Sequence, residues 1–470
     1  MKLEEIIRES GASILHGTPD TEIGAITCDS RQVKEGSLFI AVKGVDRDGH
    51  DYIDAALSSG ASAVVSASRK ALALCADNFY GHPSRKLRLV GITGTNGKTT
   101  TVTLLYNLFR GLGNNCGLLS TIANYVGERR METANTTSDP ITINSLLAQM
   151  VEQGCGYCFM EVSSIGMEQD RVAGLKFAAG IFSNLTHDHL DYHKTFAEYL
   201  RCKKLFFDSL PKDAFAIINV DDKNGPVMVQ NTRAKVITYS CRKIADRTCK
   251  IMEESFEGML LKLDGTECWT RLIGEHNAYN VLAVYSTALA LGADKMDTLV
   301  AISKLASAPG RLENHRGPRD LSVVIDYAHT PDAMENVLKT LREIAPARQL
   351  VCLFGCGGDR DRTKRPEMAQ VAERLSDRII VTSDNSRTEK TEDILNDIRA
   401  GFSPKGLAKA IFIADRREAI RTAIMTSADG ATILLAGKGH ETYQIIGHEK
   451  LHFDEREVVD EIFNNLNQLS

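Results

Sequence analysis

The chain has 470 residues, 43% hydrophobic and 25% charged, enough for about three domains with real cores. A net charge of −5 and the lack of a long basic block argue against nucleic acid as a partner. No apolar run can span a bilayer, Met1-Lys2-Leu3-Glu4-Glu5-Ile6 does not read as a signal peptide, and 11 cysteines fit free thiols in a reducing cytoplasm.

Residues 1–87 read as a small α/β unit. Ser37–Val42 and Ala63–Val65 are predicted strands, with helix expected over Asp51–Leu57. Gly81-His-Pro-Ser-Arg-Lys86 reads as a linker. From 88 to 310 strands and helices alternate, with apolar runs ending at Glu161, Asn184 and Asn219, which predicts a largely parallel sheet covered on both faces. Residues 235–275 alternate over shorter runs and suggest a small antiparallel patch, followed by a buried helix over Ala278–Leu291. A second boundary is expected near Ala308-Pro-Gly310. In residues 311–470 four strands are predicted: Val323–Ile325, Leu350–Phe354, Arg378–Val381 and Thr432–Leu435. Each runs straight into a polar or glycine-rich cluster, the usual place for a ligand in an open α/β sheet.

The strongest motif is Leu89-Val-Gly-Ile-Thr-Gly94-Thr-Asn-Gly-Lys98-Thr-Thr100. Here a strand enters a glycine-rich turn, and a helix with apolar Leu104, Leu105, Leu108, Phe109 and Leu112 leaves it. Ile92 replaces the first glycine of the strict P-loop spacing. Backbone N–H groups and the helix N-terminus suit phosphate, Lys98 suits the outer phosphates, and the Thr99 hydroxyl suits Mg²⁺. ATP binding is the reading.

Glu161 ends a strand on the same rim. His187-Asp-His189-Leu-Asp191-Tyr-His193 has the density of a metal or phosphate loop, with His189 preferred as a ligand. His187 and His193 fit as bystanders, and the loop alternatively caps helices. Phe196, Tyr199, Leu200, Phe206, Phe207 and Leu210 form one helical stripe that includes Lys203 but not Arg201 or Lys204. A lysine there must snorkel, pair or lose its charge. A neutral amine can take up CO₂ to become a carbamate, a carboxylate-like metal ligand; spacing alone leaves snorkelling open. Cys155-Gly-Tyr-Cys158 raises a redox or zinc role, but no second pair completes a zinc set.

Gly94-Thr-Asn-Gly-Lys-Thr99, Asn135-Thr-Thr-Ser-Asp-Pro140, Glu161-Val-Ser-Ser164, Asp188-His-Leu-Asp-Tyr-His193, Pro309-Gly-Arg-Leu-Glu313, Asp326-Tyr-Ala-His-Thr-Pro331 and Gly437-Lys-Gly-His-Glu441 together resemble the Mur ligases, in detail their MurE type. The match spans nearly the whole chain in order. It implies an α/β protein of three domains: a UDP-MurNAc-binding domain (1–87), a central P-loop ATPase domain with a parallel sheet (88–310), and a Rossmann-like amino-acid-binding domain (311–470).

The implied reaction belongs to cytoplasmic peptidoglycan synthesis. ATP phosphorylates the D-Glu γ-carboxylate of UDP-MurNAc-L-Ala-D-Glu, and an amino acid's amine then displaces phosphate. The implied ATP site comprises Gly94, Thr95, Asn96, Gly97, Lys98, Thr99, Thr100, Asn277, Asn280, Arg311 and Asp326. One Mg²⁺ would lie on Thr99 and Glu161. A second would lie between His189 and a CO₂-derived carbamate on Lys203. The nucleotide-sugar contacts carry over to Ser30, Thr136, Thr137, Ser163, Gln169 and Arg171. Partners are small molecules, without nucleic acid or membrane insertion, and the chain is expected to act as a monomer. Ile165 and His276 depart from the family's usual His and Phe at those positions.

For the third substrate, Asp384-Asn-Ser-Arg387 keeps the arginine of the family's Asp-Asn-Pro-Arg diaminopimelate motif and loses its proline. Arg387 can grip a distal carboxylate bidentately, which lysine lacks. The resemblance assigns Arg360 to the reacting end's carboxylate. It assigns Asp384, Asn385, Gly437 and Glu441 to the rest of the amino-acid site. Ser386 frees φ and is expected to loosen the turn. Meso-diaminopimelate is favoured over L-lysine; a folylpolyglutamate-synthase-like ligase is the more distant alternative.

Overall fold

The computed structural model describes the chain except residues 45, 46, 134, 187–189 and 470, and the side chains of 190, 191 and 469. It divides into two compact units. The first comprises Met1–Lys250, Leu261–Cys268 and Ala278–Leu305; the second comprises Ile251–Leu260, Trp269–Asn277 and Ala306–Ser470.

The first unit opens with β1 (Ser13–His16), β2 (Ala25–Thr27), β3 (Ser37–Val42) and β4 (Ala63–Ala67), in the order β1-β4-β3-β2. Only β1 runs antiparallel to its neighbour. Alternate residues of β3 enter different cores: Leu38 and Ile40 pack with Leu3, Ile6 and Val65, while Phe39 and Ala41 pack with Ala56 and Val64. That two-sided burial is why the strand reads as an unbroken apolar run. The expected linker is not loose. Pro83–Arg85 forms a short 3₁₀ turn, Pro83 and Ser84 are buried, and Ser84 Oγ accepts the Lys176 N–H at 3.0 Å.

A large sheet follows, with strands β5 (Arg88–Thr93), β6 (Cys116–Leu119), β7 (Asn124–Val126), β8 (Arg129–Met131), β9 (Tyr157–Glu161), β10 (Phe177–Phe182), β11 (Phe215–Asn219), β12 (Lys235–Ser240), β13 (Arg247–Ser255), β14 (Gly258–Leu263) and β15 (Thr266–Thr270). Their order is β15-β14-β13-β12-β11-β10-β5-β9-β6-β7-β8. β5 is central, parallel to both β9 and β10. Within 235–275, β12 runs parallel to β11 and the start of β13 parallel to β12, while β13, β14 and β15 are chain-consecutive neighbours joined by two-residue links, the connection of an antiparallel patch.

The second unit holds β16 (Glu313–Arg316), β17 (Ser322–Asp326), β18 (Leu350–Phe354), β19 (Arg378–Val381), β20 (Ala410–Phe412) and β21 (Thr432–Ala436), in the order β16-β17-β21-β18-β19-β20. Only β16 is antiparallel; the four predicted strands lie side by side and parallel. One face packs Val323, Ile325 and Leu353 with Ala419, Ile420 and Val459. The other packs Val324, Cys352 and Phe354 with Leu338, Met368 and Ile394. Each fully buried side chain of this size is worth about 1.5–3 kcal/mol. A hairpin of β22 (Tyr443–Ile446) and β23 (Glu449–His452) completes the unit.

Candidate active site

The phosphate loop is shaped by its neighbours. Gly94 has φ +154°, and a Cβ there would lie 1.9 Å from Ser183 Oγ, so only glycine fits. The Thr95 N–H donates to Asn184 O at 2.9 Å, the Asn96 N–H donates to Asn184 Oδ1 at 2.9 Å, and Ser183 Oγ donates to Asn96 O at 2.7 Å. The helix Lys98–Gly111 starts directly after this loop, so its first-turn amides carry the helix's positive end toward it.

Lys203 reaches the same place from a distant segment. Thr195 caps the helix Phe196–Asp208 by accepting the Glu198 N–H at 3.2 Å. Phe206 lies where Gly91 and Gly180 leave room on the sheet: a Cβ at those positions would come within 2.6 and 2.9 Å of its ring. One turn earlier Lys203 is 1% exposed, and its Nζ donates to Gly94 O at 2.8 Å. Lys98 Nζ donates to that same carbonyl at 2.9 Å and to Thr95 O at 2.8 Å. The two amines therefore meet on one acceptor. Tyr199, which motif reading missed, lies beneath Lys203: its ring centroid is 4.6 Å from Lys203 Nζ and its hydroxyl 3.1 Å from Thr95 Oγ1.

Glu161 is paired in register with Ile92 and is almost fully buried. Its Oε1 accepts the Thr121 N–H at 2.8 Å, while its buried Oε2 has no hydrogen-bond partner among the described residues. A buried carboxylate oxygen left over at the end of β9 is a donor that suits a hard cation such as Mg²⁺. His189 and His187 lie outside the described residues. His193 is buried, 2.8 Å from Ser164 Oγ, in keeping with a structural part.

Most of the nucleotide-sugar set converges next to Glu161. Thr137 Oγ1 donates to Glu161 O at 2.9 Å and accepts the Ser163 N–H at 3.0 Å. Thr121 Oγ1 donates to Thr136 Oγ1 at 3.1 Å. Arg171 donates to Thr137 O at 2.5 Å and through Nη2 to Gln169 Oε1 at 2.8 Å. Ser30 stands apart from these hydrogen bonds, in the short 3₁₀ turn Ser30–Gln32. Asn280 Oδ1 accepts from Thr101 Oγ1 at 3.3 Å and lies 2.5 Å from where a Cβ on Gly97 would be. Asn277 Nδ2 donates to Ile273 O at 2.8 Å.

In the second unit the strand ends form a rim. Asp326 is buried at the end of β17; burial pushes its carboxyl up against the pull of Arg311 and of the Leu312 and Ala328 N–H groups. Arg311 lies over the Tyr327 ring, 4.9 Å from its centroid, with its Nε buried and without a hydrogen-bond partner among the described residues. Gly437 faces Asp384, whose Oδ2 would be 2.8 Å from a Cβ there. Asn385 Nδ2 donates to Glu441 Oε2 at 2.9 Å. Lys438, also missed from the sequence, is 0% exposed and donates to Glu441 Oε2 at 3.1 Å and to Asn385 Oδ1 at 3.3 Å. Its place inside Gly437-Lys-Gly-His-Glu441 was the available signal.

The two predicted arginines flank Gly357. A Cβ at that position would lie 3.0 Å from Arg387 Nη1 and 3.8 Å from Arg360 Cγ. Arg387 Nη1 donates to Gly358 O at 2.7 Å, and Arg387 has the left-handed φ of +50°, a strain of about 1–3 kcal/mol of the kind that gathers at functional sites. The turn is not loosened by Ser386, which is buried. The Arg387 N–H donates to Ile445 O at 3.2 Å and Arg387 O accepts the Gly447 N–H at 2.8 Å, so the hairpin supplies the restraint that a proline ring would.

Three family models cover the chain in succession: "Mur ligase family, catalytic domain" over residues 22–90, "Mur ligase middle domain" over 92–288, and "Mur ligase, glutamate ligase domain" over 310–439. The chain belongs to the Mur ligase family, enzymes built on three α/β domains. Within it, the chain is 48% identical over 484 residues to the UDP-N-acetylmuramoyl-L-alanyl-D-glutamate–2,6-diaminopimelate ligase of Cytophaga hutchinsonii, covering 99% of this chain and 100% of that one. It is 49% identical over 483 residues to the ligase of the same name from Phocaeicola vulgatus, again covering 99% and 100%. A solved structure of a UDP-N-acetylmuramoyl-L-alanyl-D-glutamate–2,6-diaminopimelate ligase matches with a TM-score of 0.72 at 31% identity, covering 99% of both chains.

Proposed function

We propose that the chain joins meso-2,6-diaminopimelate to the D-Glu γ-carboxylate of UDP-MurNAc-L-Ala-D-Glu, with ATP, in the cytoplasm. The reading divides it into a UDP-MurNAc domain (1–87), an ATP domain (88–310) and an amino-acid domain (311–470). The observation that carries the choice of amino acid is the pair of arginines at Gly357, beside the Asn385–Glu441–Lys438 cluster. Two guanidiniums suit a substrate with a carboxylate at each end, and Glu441 suits its distal ammonium.

In this mechanism a carboxylate, a poor electrophile, becomes an acyl phosphate and gains a leaving group. Lys98 leaves the Gly94 and Thr95 carbonyls for the outer phosphates of ATP, while the helix N-terminus after Gly97 holds them by backbone N–H groups. Asn277, Asn280, Arg311 and Asp326 serve the rest of the nucleotide. Ser30, Thr136, Thr137, Ser163, Gln169 and Arg171 orient the UDP-linked peptide. Thr99 and Glu161 would hold one Mg²⁺, and His189 with a carbamate on Lys203 a second. Held there, such ions would supply charge neutralisation for the transferring phosphoryl group and the acyl phosphate. Arg360 and Arg387 would grip the two carboxylates of the incoming amino acid and leave its reacting amine unblocked. The amine forms the new C–N bond, loses a proton, and phosphate departs.

The test is mass analysis of the nucleotide-peptide after incubation with ATP, Mg²⁺ and each amino acid. The expected product has gained one diaminopimelate residue. A product extended by L-lysine in preference would overturn the amino-acid assignment, and no extension by either would overturn the ligase reading.

A further inference from the structure

One buried cation holds both arginine-bearing turns. Arg365, in the first turn of the helix Lys364–Leu375, is 0% exposed. Its Nη2 donates to Glu389 Oε1 at 2.8 Å and to Gly357 O at 3.2 Å. Its Nη1 donates to Glu389 Oε2 at 3.0 Å and to Asp397 Oδ2 at 2.8 Å. Glu389 Oε1 also accepts the Asp359 N–H at 2.7 Å, and the Glu389 N–H donates to Ser386 O at 3.1 Å. Thr388 closes the ring, with Oγ1 donating to Asp359 Oδ1 at 2.7 Å and N–H to Asp359 Oδ2 at 3.2 Å.

The loop before Arg360 is thus held at Gly357 and Asp359, and the turn around Arg387 at Ser386, Thr388 and Glu389, by one connected set of charges. Both segments lie in loops, where backbone position is otherwise weakly determined. A bidentate arginine–carboxylate pair with a buried guanidinium fixes geometry as well as adding energy. The Arg365 hydrogen bonds, foremost, draw the Glu389 carboxyl down to about 2, so the pair stays charged at neutral pH.

We infer that Arg365 and Glu389, with Asp359 and Thr388, form a positioning clasp that sets the spacing of the Arg360 and Arg387 guanidiniums, and through it the preference for an amino acid with two carboxylates over one with a single carboxylate. The inference rests on the reading of the rim as a diaminopimelate site. Arg365 touches no substrate in it; the residue acts through the two turns it joins.

The experiment uses full-length Glu389→Gln, Arg365→Lys and Thr388→Val. KM is measured for diaminopimelate and for ATP, with the ratio of kcat/KM for diaminopimelate over L-lysine and the thermal midpoint. Glu389→Gln is expected to raise the diaminopimelate KM by about tenfold and to lower the ratio by a similar factor, with the ATP KM changed less than about twofold. Arg365→Lys should follow it, because an ammonium cannot bridge both Glu389 oxygens and Gly357 O in one plane. Thr388→Val, at an exposed position, should shift the ratio in the same direction by about threefold, and it carries the test alone if the other two do not fold. An unchanged ratio in the folded variants, or a parallel rise in both KM values, would overturn the clasp. If the wild type proves to prefer L-lysine, the proposed function fails, and the clasp is judged on L-lysine against an analogue lacking the distal amine; an unchanged ratio there overturns it equally.

Discussion

At the phosphate loop two lysines share a backbone acceptor; at the amino-acid rim buried cations are paired with carboxylates. Lys98 and Lys203 both donate to Gly94 O, and the loop is fixed by Asn184 and Ser183 through its own peptide groups. At the rim Arg365 is paired with Glu389 and Asp397, Lys438 with Glu441, and Arg416 with Glu455. A backbone carbonyl can be given up to an incoming phosphate, whose oxygens accept the same N–H groups. A carboxylate partner cancels charge and fixes direction, which suits a site that must measure the distance between two ends of a substrate.

The sharpest break of this comparison is Lys203→Ala. Loss of an amine beside the phosphate loop should cut ligation by about 10³-fold, in the range for removal of one electrostatic stabiliser, with partial recovery by formate standing in for a carbamate. The check is the rate of phosphate release with and without formate. Full activity in the variant would remove Lys203 from the chemistry.

Next comes Arg416→Met. Arg416 and Glu455 are both 0% exposed, and burial, ahead of the opposing Arg416 charge, pushes the Glu455 carboxyl up. Removing the cation leaves a buried acid uncompensated, at a cost of about 3–5 kcal/mol in denaturant midpoint experiments. The double variant Arg416→Met with Glu455→Leu should recover most of that loss.

Arg387→Ala should raise the diaminopimelate KM by about 10–100-fold, as for a lost charged hydrogen-bond pair, and leave the ATP KM near wild type. Equal effects on both substrates would remove Arg387 from amino-acid recognition.

The smallest effect concerns Glu313. Burial would raise its carboxyl, but His315, Arg456 and the Gly310 N–H donate to it and hold it at about 2, against an ordinary 4.5. A folded value below the unfolded one means stability that is complete above pH 4.5 and lost as pH falls toward 2. Glu313→Gln should therefore lower stability at pH 7 by about 1 kcal/mol and flatten the decline below pH 4.5 in urea titrations.

The same contrast explains how much could be read in advance. The parallel strands and the loop after β5 were legible because two-sided burial writes unbroken apolar runs, and because phosphate binding needs glycines at fixed spacing. Lys203 stood out because one stripe of a single helix carries it. The supports of the rim were not legible. Arg365 lies 24 residues from Glu389 and Lys438 lies 53 from Asn385, and only the fold brings such partners together. Tyr199 was seen as part of an apolar stripe, while its hydroxyl on Thr95 depends on tertiary approach. Ser386 misled for a related reason: local propensity said loose, and the hairpin over 443–452 holds the turn.

Trapping the acyl phosphate with hydroxylamine tests most directly whether the two regions divide the reaction as described. With ATP and UDP-MurNAc-L-Ala-D-Glu but no amino acid, Arg387→Ala should form hydroxamate at close to the wild-type rate, and Lys203→Ala should form almost none. Loss of hydroxamate in Arg387→Ala, or its retention in Lys203→Ala, would contradict that division.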